Sequence, residues 1–551
     1  MKIGLLINSI EQLDNWQLRV LDGIYSDEQL DLVLLLANNK SVDWRLSTSR
    51  NFVADTTKLT GATGLLLKGQ YFLETSYFFK PKSVSVNNIL GSYAHTLDSY
   101  ELKCANENGT SVYGKKVSND LKNLRLDLII NLDVQTIDSL LFTVSKHGVW
   151  EMLFQDFGLK KTAPVGFFEV LKKKPVIAAS LCRIAPNSEE NEVLNTAYFN
   201  RHWSMTETAT IVAEGSVSLF FKNLEKLKKG ALEVHSNFSH EKIANENLSF
   251  QNVLGYLFLF YSEFLTKLFE KVMAKVFQRR YECWTIFTGS KGFFDRITSS
   301  PVQLIMPKDE FWADPFLFHH DDKDYLFFEN YSYKTKRGKI SCGILEDGQL
   351  SEIGDVLDFN FHLSFPFIFE ENGKIYLMPE SSENKKLQVF KAVAFPFKWE
   401  LYATAFEGEA VGDAFFHTDE EQQKWLFLNK QAAKTAPMNS ELFIYKVDSC
   451  KFNSLIPHHQ NPVLIDARVA RNGGSIFKHN NQWYRPSQRN VDGVYGRALN
   501  INRIDKLTID EYIETTVQII EPDFDKNLMG LHHLQQCNGT FVFDAAYRYR
   551  D

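Results

Sequence analysis

The sequence predicts a multidomain chain, a parallel-sheet α/β part followed by an all-β part built as a five-bladed β-propeller. Three observations predict it. Residues 1–227 alternate short apolar runs with helical periodicity, as strands and helices do in alternation. Residues 228–282 change to a polar stretch and one long helical pattern. In residues 283–551 a strand–turn–strand segment recurs five times at spacings of about 48 to 59 residues, where an internal repeat means a propeller or solenoid.

Bulk properties narrow the function classes. At 551 residues the chain is too long for one core. A net charge of −7 with no block of Lys and Arg gives nucleic acid no basic field to meet. Cys104, Cys182, Cys283, Cys342, Cys450 and Cys537 stand singly, without the paired spacing of a zinc site, and suit a reducing compartment. The opening run Met1–Ile7 reads as a buried strand rather than a signal peptide. A cytoplasmic protein is expected.

In the first part the expected strands are 2–7, 32–36, 64–67, 126–132 and 176–181. The expected helices are 9–25, 136–146, 166–172 and 204–227. Neither a Gly-x-Gly-x-x-Gly nor a Gly-Lys-Ser/Thr phosphate loop follows the first strand, so no nucleotide site of those types and no cofactor is expected. Segments 1–8, 127–131, Lys146-His147-Gly148-Val149-Trp150, Gly166-Phe167-Phe168-Glu169-Val170-Leu171 and Glu192-Val193-Leu194 together resemble the formyltransferase family, which uses formyl-tetrahydrofolate. That family relies on an Asn, a His and an Asp for oxyanion stabilisation and proton transfer. The corresponding positions here fall on Glu151, Leu153 and, approximately, Glu189. Leucine moves no proton, and neither His147 nor Asp156 is an evident substitute. The resemblance therefore implies the fold with its chemistry lost.

The connector holds Phe250–Phe277, whose Val253, Leu257, Phe260, Tyr261, Phe264, Leu265, Leu268, Val272 and Val276 keep helical period. Lys267, Lys271 and Lys275 recur on another face. A basic amphipathic helix can lie on a bilayer; a helix packed between two domains is the reading preferred.

Each repeat begins with a strand whose first residues would face a shared axis. Asp314, Asp413, Arg471 and His532 occupy such starts, and Glu380 ends a neighbouring strand. Trp284–Ile286 and Ile305–Pro307 read as a strand closing the ring with the last blade. The histidines 362, 458, 459, 532 and 533 lack the helical spacing of a metal motif, so no metal is expected.

Ala313-Asp314-Pro315-Phe316, His362-Leu363-Ser364-Phe365-Pro366, Met378-Pro379-Glu380-Ser381, Pro457-His458, Asn461-Pro462-Val463 and Arg485-Pro486-Ser487-Gln488 with Tyr495-Gly496 resemble the N-terminal region of plant glucosamine inositolphosphorylceramide transferases. That resemblance implies a fold and a sugar context, without glycosyl transfer itself. More distantly, Ala-Asp-Pro opening five blades is similar to arabinanase- and invertase-type glycosidases. That likeness implies Asp314 as base or nucleophile, Asp413 as its orienting partner and Glu380 as acid, because glycoside cleavage needs two carboxyls in different protonation states. Trp312, His362, Arg471, Arg485, Gln488 and His532 are the expected substrate-binding residues, with Phe365 and Trp483 as further stacking faces.

An aspartate before proline is also a plain turn residue, and acids at blade starts can pair structurally with Arg471 or Arg485. The function expected is carbohydrate-active, in building or modifying a surface glycan or glycolipid. The alternatives are a non-catalytic glycan- or protein-binding adaptor, and formyl or acyl transfer to an amino sugar. The expected partner is a carbohydrate or glycolipid, with membrane contact through 250–277 not favoured.

Overall fold

The structure is a computed structural model. It describes residues 1–8, 10, 13–37, 48–49, 60–79, 84–91, 97–102, 104–107, 110–113, 115–134, 137–154, 160–161, 163–186, 191–232, 245–277, 280–290, 301–431, 437–537 and 539–550. The chain falls into two compact units, Met1–Tyr261 and Ser262–Asp551.

The first unit is built on a seven-stranded sheet. Its spatial order is Glu192–Asn200, Val176–Ile184, Val149–Leu153, Leu128–Asn131, Lys2–Ile7, Asp31–Leu36 and Asp98–Glu101. The five strands from Val149–Leu153 to Asp98–Glu101 run parallel, and the other two pair antiparallel at one edge. Strand order reverses between Lys2–Ile7 and Leu128–Asn131, which leaves a crevice at the carboxyl ends of those strands. The α/β expectation holds.

Several local expectations need correction. Residues 64–67 are helical, inside Gly61–Leu73. A four-residue apolar run suits a buried strand or a helix equally, and here Leu67 is buried while Leu65 is 68% exposed. In place of a helix over 136–146 there is one 3-10 turn, Ser139–Phe142, capped by the Asp138 carboxylate. The strands Val149–Leu153 and Glu192–Asn200 were not anticipated as strands. Ser9, Asp156 and Glu189 lie outside the described residues.

The helix Phe250–Phe277 has the predicted bounds, but its apolar stripe is not the packed face that was expected. Val253, Tyr256 and Phe260 are buried, whereas Tyr261, Leu265, Leu268, Val272 and Val276 are exposed. The buried end is fastened by Glu74, which accepts from the Tyr256 hydroxyl at 2.5 Å and from Ser204 Oγ at 2.5 Å. A buried carboxyl needs donors that converge on it, and Thr206 Oγ1 at 3.1 Å and Gln70 Nε2 at 3.0 Å join the two. Among the described residues no helix is long and apolar enough to cross a membrane.

The second unit is the five-bladed propeller. Four blades run in chain order: Glu310–Leu357, Ser364–Ala405, Val411–Pro457 and Phe477–Ile520. The fifth is shared between distant segments. Arg280–Ser290 pairs antiparallel with Thr540–Arg550 from Arg280↔Arg550 to Ser290↔Thr540, which closes the ring. Trp284–Ile286 therefore does what was expected of it. Residues 305–307 do not, because the short strand there is Val302–Gln303.

Packing between blades is aromatic, with Phe316, Phe327, Phe365, Phe415 and Phe427 in one core. Phe316 and Phe365, from adjacent blades, meet edge to face 5.0 Å apart. Flat rings fill the space between twisted sheets with large apolar area and few rotamers.

Candidate functional site

In the first three blades the innermost strand is interrupted at the same point. The register shifts between Ala313 and Phe316, between Ser364 and Phe367, and between Gly412 and Phe415. Inside each bulge one residue takes a left-handed backbone: Asp314 at φ 50°, Phe365 at 45° and Asp413 at 47°. Such conformations cost a side-chain-bearing residue about 1–2 kcal/mol each.

The return is a backbone N–H turned toward the axis, and each donates to a carboxylate of the preceding blade. Asp314 N–H reaches Asp544 Oδ2 at 2.9 Å, Phe365 N–H reaches Asp314 Oδ2 at 3.0 Å, and Asp413 N–H reaches Glu380 Oε2 at 3.1 Å. Asn472 Nδ2 donates to the Asp413 carbonyl at 2.9 Å, and Leu534 N–H to the Gly473 carbonyl at 2.8 Å. At least one hydrogen bond thus crosses every blade boundary. In the fourth blade Gly474 replaces the bulged side chain, since a Cβ there would sit 1.9 Å from the Leu534 carbonyl oxygen.

Around this ring acids gather with a few cations among them. Asp544 accepts N–H groups from Asp314, His532 and His533, and His532 Nδ1 lies 2.7 Å from its Oδ2. His532 stacks on Trp284 at 3.7 Å. Burial alone would lower this imidazole; Asp544 and Asp314 outweigh it and raise it above its ordinary value.

Burial alone would raise Asp314. The charge on His532, contact with His533 and the Phe365 N–H outweigh that and hold Asp314 down, to about 2. His533 is fully buried between Phe316 and Phe365, with Nδ1 at 3.6 Å from Asp314 Oδ1.

Glu329 faces Ala313 across the first hairpin, as Glu380 faces Ser364 across the second. Burial, then the charges of Asp314, Glu380 and Asp544, push Glu329 well above the glutamate range. The only ion-pair contact of its carboxyl among the described residues is His362 Nε2 at 3.4 Å. His362 Nδ1 accepts from the Gly338 N–H at 2.9 Å, which leaves the proton of the neutral ring on Nε2.

Asp413 meets Arg471 Nε at 2.5 Å. Burial raises its carboxyl, the Arg471 guanidinium opposes that, and Glu380 and Asp314 add to it. Arg471 in turn lies 5.0 Å over the ring of Tyr495, which is 42% exposed and opens the cluster to solvent.

The sequence-predicted residues separate into two groups. Asp314, Glu380, Asp413, Arg471, His362 and His532 converge on the axis. Trp312, Arg485 and Gln488 do not offer themselves to a ligand. Trp312 is buried against Phe328 at 4.7 Å. Arg485 is fully buried, forked onto Glu514 at 2.6 and 2.8 Å and bonded to Asn472. Gln488 Nε2 donates to the Asn472 carbonyl at 3.0 Å. All three are enclosed by packing or by hydrogen-bond partners within the protein.

Phe365, offered as a stacking face, is buried beside His533. Trp483 lies elsewhere, on a cavity of about 490 Å³ with His417 and Trp425, where burial holds His417 down to about 4. Glu329, His533, Tyr495 and Asp544 received no role from the sequence, although their segments were read. The hairpin register of Glu329, matching that of Glu380, is the signal that would have found it.

Asp314, His532 and Asp544 place one ligand atom each within 4.8 Å of one another. His532 Nδ1 is already occupied by Asp544 and three N–H groups fill the Asp544 oxygens, a donor set that suits a proton network more than a cation.

In the first unit Glu151 and Leu153 line a cavity of about 330 Å³ at the strand ends. Glu151 Oε2 accepts from Asn131 Nδ2 at 2.9 Å, and burial raises its carboxyl. No proton-relay histidine contacts it among the described residues.

Residues 297–534 match the family model described as glucosamine inositolphosphorylceramide transferase 1, N-terminal. The chain is 34% identical over 244 residues to glucosamine inositolphosphorylceramide transferase 1 of Oryza sativa subsp. japonica, covering 42% of this chain and 32% of the relative. It is 36% identical over 211 residues to the Arabidopsis thaliana protein of that name, covering 38% and 27%. Among solved structures, a thermostable family-43 glycoside hydrolase aligns with TM-score 0.33 and 13% identity over 43% of this chain and 88% of that one. A 4-N formyltransferase from Francisella tularensis aligns with TM-score 0.27 and 10% identity over 45% and 76%. The chain spans about a third of the length of the curated plant relatives that its propeller region resembles.

Proposed function

We propose that the propeller axis is a carbohydrate site serving the assembly or modification of a glycan or glycolipid. The observation that carries this reading is the pair Asp314 and Glu329, two buried carboxyls on one axis. The first lies beside His532 and His533 and is bonded by the Phe365 N–H, which hold it down. The second meets only His362 as an ion-pair contact among the described residues and is pushed up by burial and its acidic neighbours. Breaking or exchanging a glycosidic bond needs a proton donor for the leaving oxygen and a carboxylate at the sugar carbon. Asp314 fills the second role, as base or nucleophile. Glu329 fills the first better than Glu380, whose two oxygens already accept from Ser382 Oγ and the Asp413 N–H. Asp413 orients Arg471, and Arg471, His362 and Tyr495 supply donors and an aromatic face for a polyhydroxyl ligand.

The names of the plant relatives refer to glucosamine and to an inositolphosphorylceramide, and a sugar on an inositol phosphate lipid suits such a lining. Whether the step is transfer or hydrolysis, it begins with the same protonation.

The test compares binding with turnover in the parent, Asp314→Asn, Glu329→Gln and Glu380→Gln, using aryl glycosides and inositol phosphate glycolipids. Retained affinity with turnover lowered about 10²–10⁴-fold in the first two supports the reading. A parent that binds sugar and turns over none favours a non-catalytic adaptor. That second reading draws on the ring itself, because Asp314, Glu380 and Asp544 also tie blade to blade. Formyl or acyl transfer in the first unit has least support, since Leu153 cannot move a proton. Binding of formyl-tetrahydrofolate in calorimetry would revive it. A cytoplasmic location is part of the same proposal.

A further inference from the structure

The helix Phe250–Phe277 has two apolar sides, and the structure buries only one. Val253, Tyr256 and Phe260 pack with Leu67, Phe167 and Met205. Phe250, Leu254, Phe258, Tyr261, Leu265 and Phe269 follow one another at steps of three or four and stand exposed, Phe258 by 74%, so they form one continuous stripe.

The neighbouring helix Gly61–Leu73 repeats the pattern. It buries Leu67 and Gln70 and exposes Leu65, Leu66, Phe72 and Leu73, with Tyr77 following at 72% exposure. The two helices are joined by Tyr261, whose hydroxyl donates to Gln70 Oε1 at 3.1 Å. Scattered exposed leucines need no explanation, whereas apolar stripes on two adjoining helices mark a surface that water does not cover in use.

The charges identify the occupant. Lys267, Lys271 and Lys275 recur every fourth residue beside the stripe. Of the acids on the same stretch, Glu263 meets Lys267 at 3.5 Å and Glu270 meets Arg548 at 3.4 Å. Lys271 and Lys275 remain exposed. Apolar residues rich in Phe and Tyr, a lysine edge and a helix not apolar enough to span are the features of a segment lying in a bilayer surface. A protein partner or a second copy would be expected to meet the lysine row with acids, and the helix Gly61–Leu73 contains none.

We infer that the exposed faces of Phe250–Phe277 and Gly61–Leu73 dock this protein on an anionic lipid bilayer. The inference stands on the helices alone and does not require the propeller to act on sugar.

The experiment is vesicle flotation of the full chain, using phosphatidylcholine with and without phosphatidylserine, neither of which carries a sugar. The parent floats with the phosphatidylserine vesicles, and added salt weakens binding. Phe258→Glu combined with Leu265→Glu lowers the bound fraction roughly tenfold or more, as losing two large embedded side chains requires. Lys271→Glu with Lys275→Glu weakens binding to phosphatidylserine vesicles without changing the melting temperature, which covers the case in which the first pair fails to fold. Asp314→Asn floats like the parent, which separates this surface from the axial site.

A parent that stays with the unbound fraction, or a folded Phe258→Glu/Leu265→Glu variant that floats like the parent, overturns the inference. So does a parent dimer in sedimentation that this variant converts to monomer, because the stripe then belongs to a second copy.

Discussion

Glu151, partly buried at the strand ends of the first unit, and Asp314, buried at the propeller axis, are treated in opposite ways. Glu151 has the Asn131 amide for company, and desolvation raises it. Asp314 receives the Phe365 N–H and lies beside two histidines, and it is held down to about 2. Burial by itself neutralises a carboxylate; burial among donors and a cation keeps it charged. A charged acid inside a protein is therefore a constructed object. The construction here is the bulged strands and the network around Asp544; in the first unit the fully buried carboxyls are held by other means, Glu74 by hydroxyls and the Gln70 amide and Glu214 by Arg19.

Four substitutions would break or sharpen this contrast, beginning with the largest effect. Arg485→Ala strips Glu514 of its buried partner and should destabilise the propeller by about 3–5 kcal/mol, read as a lower urea midpoint for that unit. An unchanged midpoint would mean that the fork is not a support.

Asp314→Asn tests the ionised acid directly. A depressed pKa contributes stability that is present above the unfolded value near 3.8 and lost as pH falls toward about 2. The parent should therefore lose about 2 kcal/mol across that window and the variant should not. Parallel acid-unfolding curves would contradict the charged assignment.

Glu329→Gln has the opposite sign. With its pKa raised, the parent loses stability as pH climbs above about 4.5, where an unperturbed glutamate titrates. The variant should melt higher at about pH 8, by roughly 1 kcal/mol or more, and the two should converge near pH 4.

Glu151→Gln should behave likewise in the first unit but by about 1 kcal/mol or less, since the amide still accepts from Asn131. A loss of stability there would indicate that the carboxylate has an ionic partner after all.

Much of this architecture was legible in the residues. The five copies announce themselves because the inner hairpin of every blade carries aromatic alternation and a polar turn, as in Trp312–Phe328. The outer strands, such as Gln349–Leu357, are half exposed and carry no such signature. The crevice-facing strand Val149–Leu153 hid inside a short mixed segment, and Leu65–Leu67 passed for a strand because its length fits both conformations.

Of the site, Asp314, Asp413 and Arg471 were readable because the repeat places them in or just ahead of the first strand of a blade. Arg485 was not, because its partner Glu514 lies two strands away on the outer edge of the same sheet. Glu329 required the hairpin register, and Asp544 required knowing that Thr540–Arg550 returns to Arg280–Ser290.

That return has a consequence for timing. Translation delivers Thr540–Arg550 after every other strand of the ring, so a nascent chain holds four blades whose inner edges wait for one late segment. The same segment brings Asp544, the acceptor for Asp314 and both histidines. Until it leaves the ribosome and zips onto residues made some 250 positions earlier, the hollow at the centre has neither closure nor its full complement of charges. The axial cluster is complete only once the last strand of the ring has arrived.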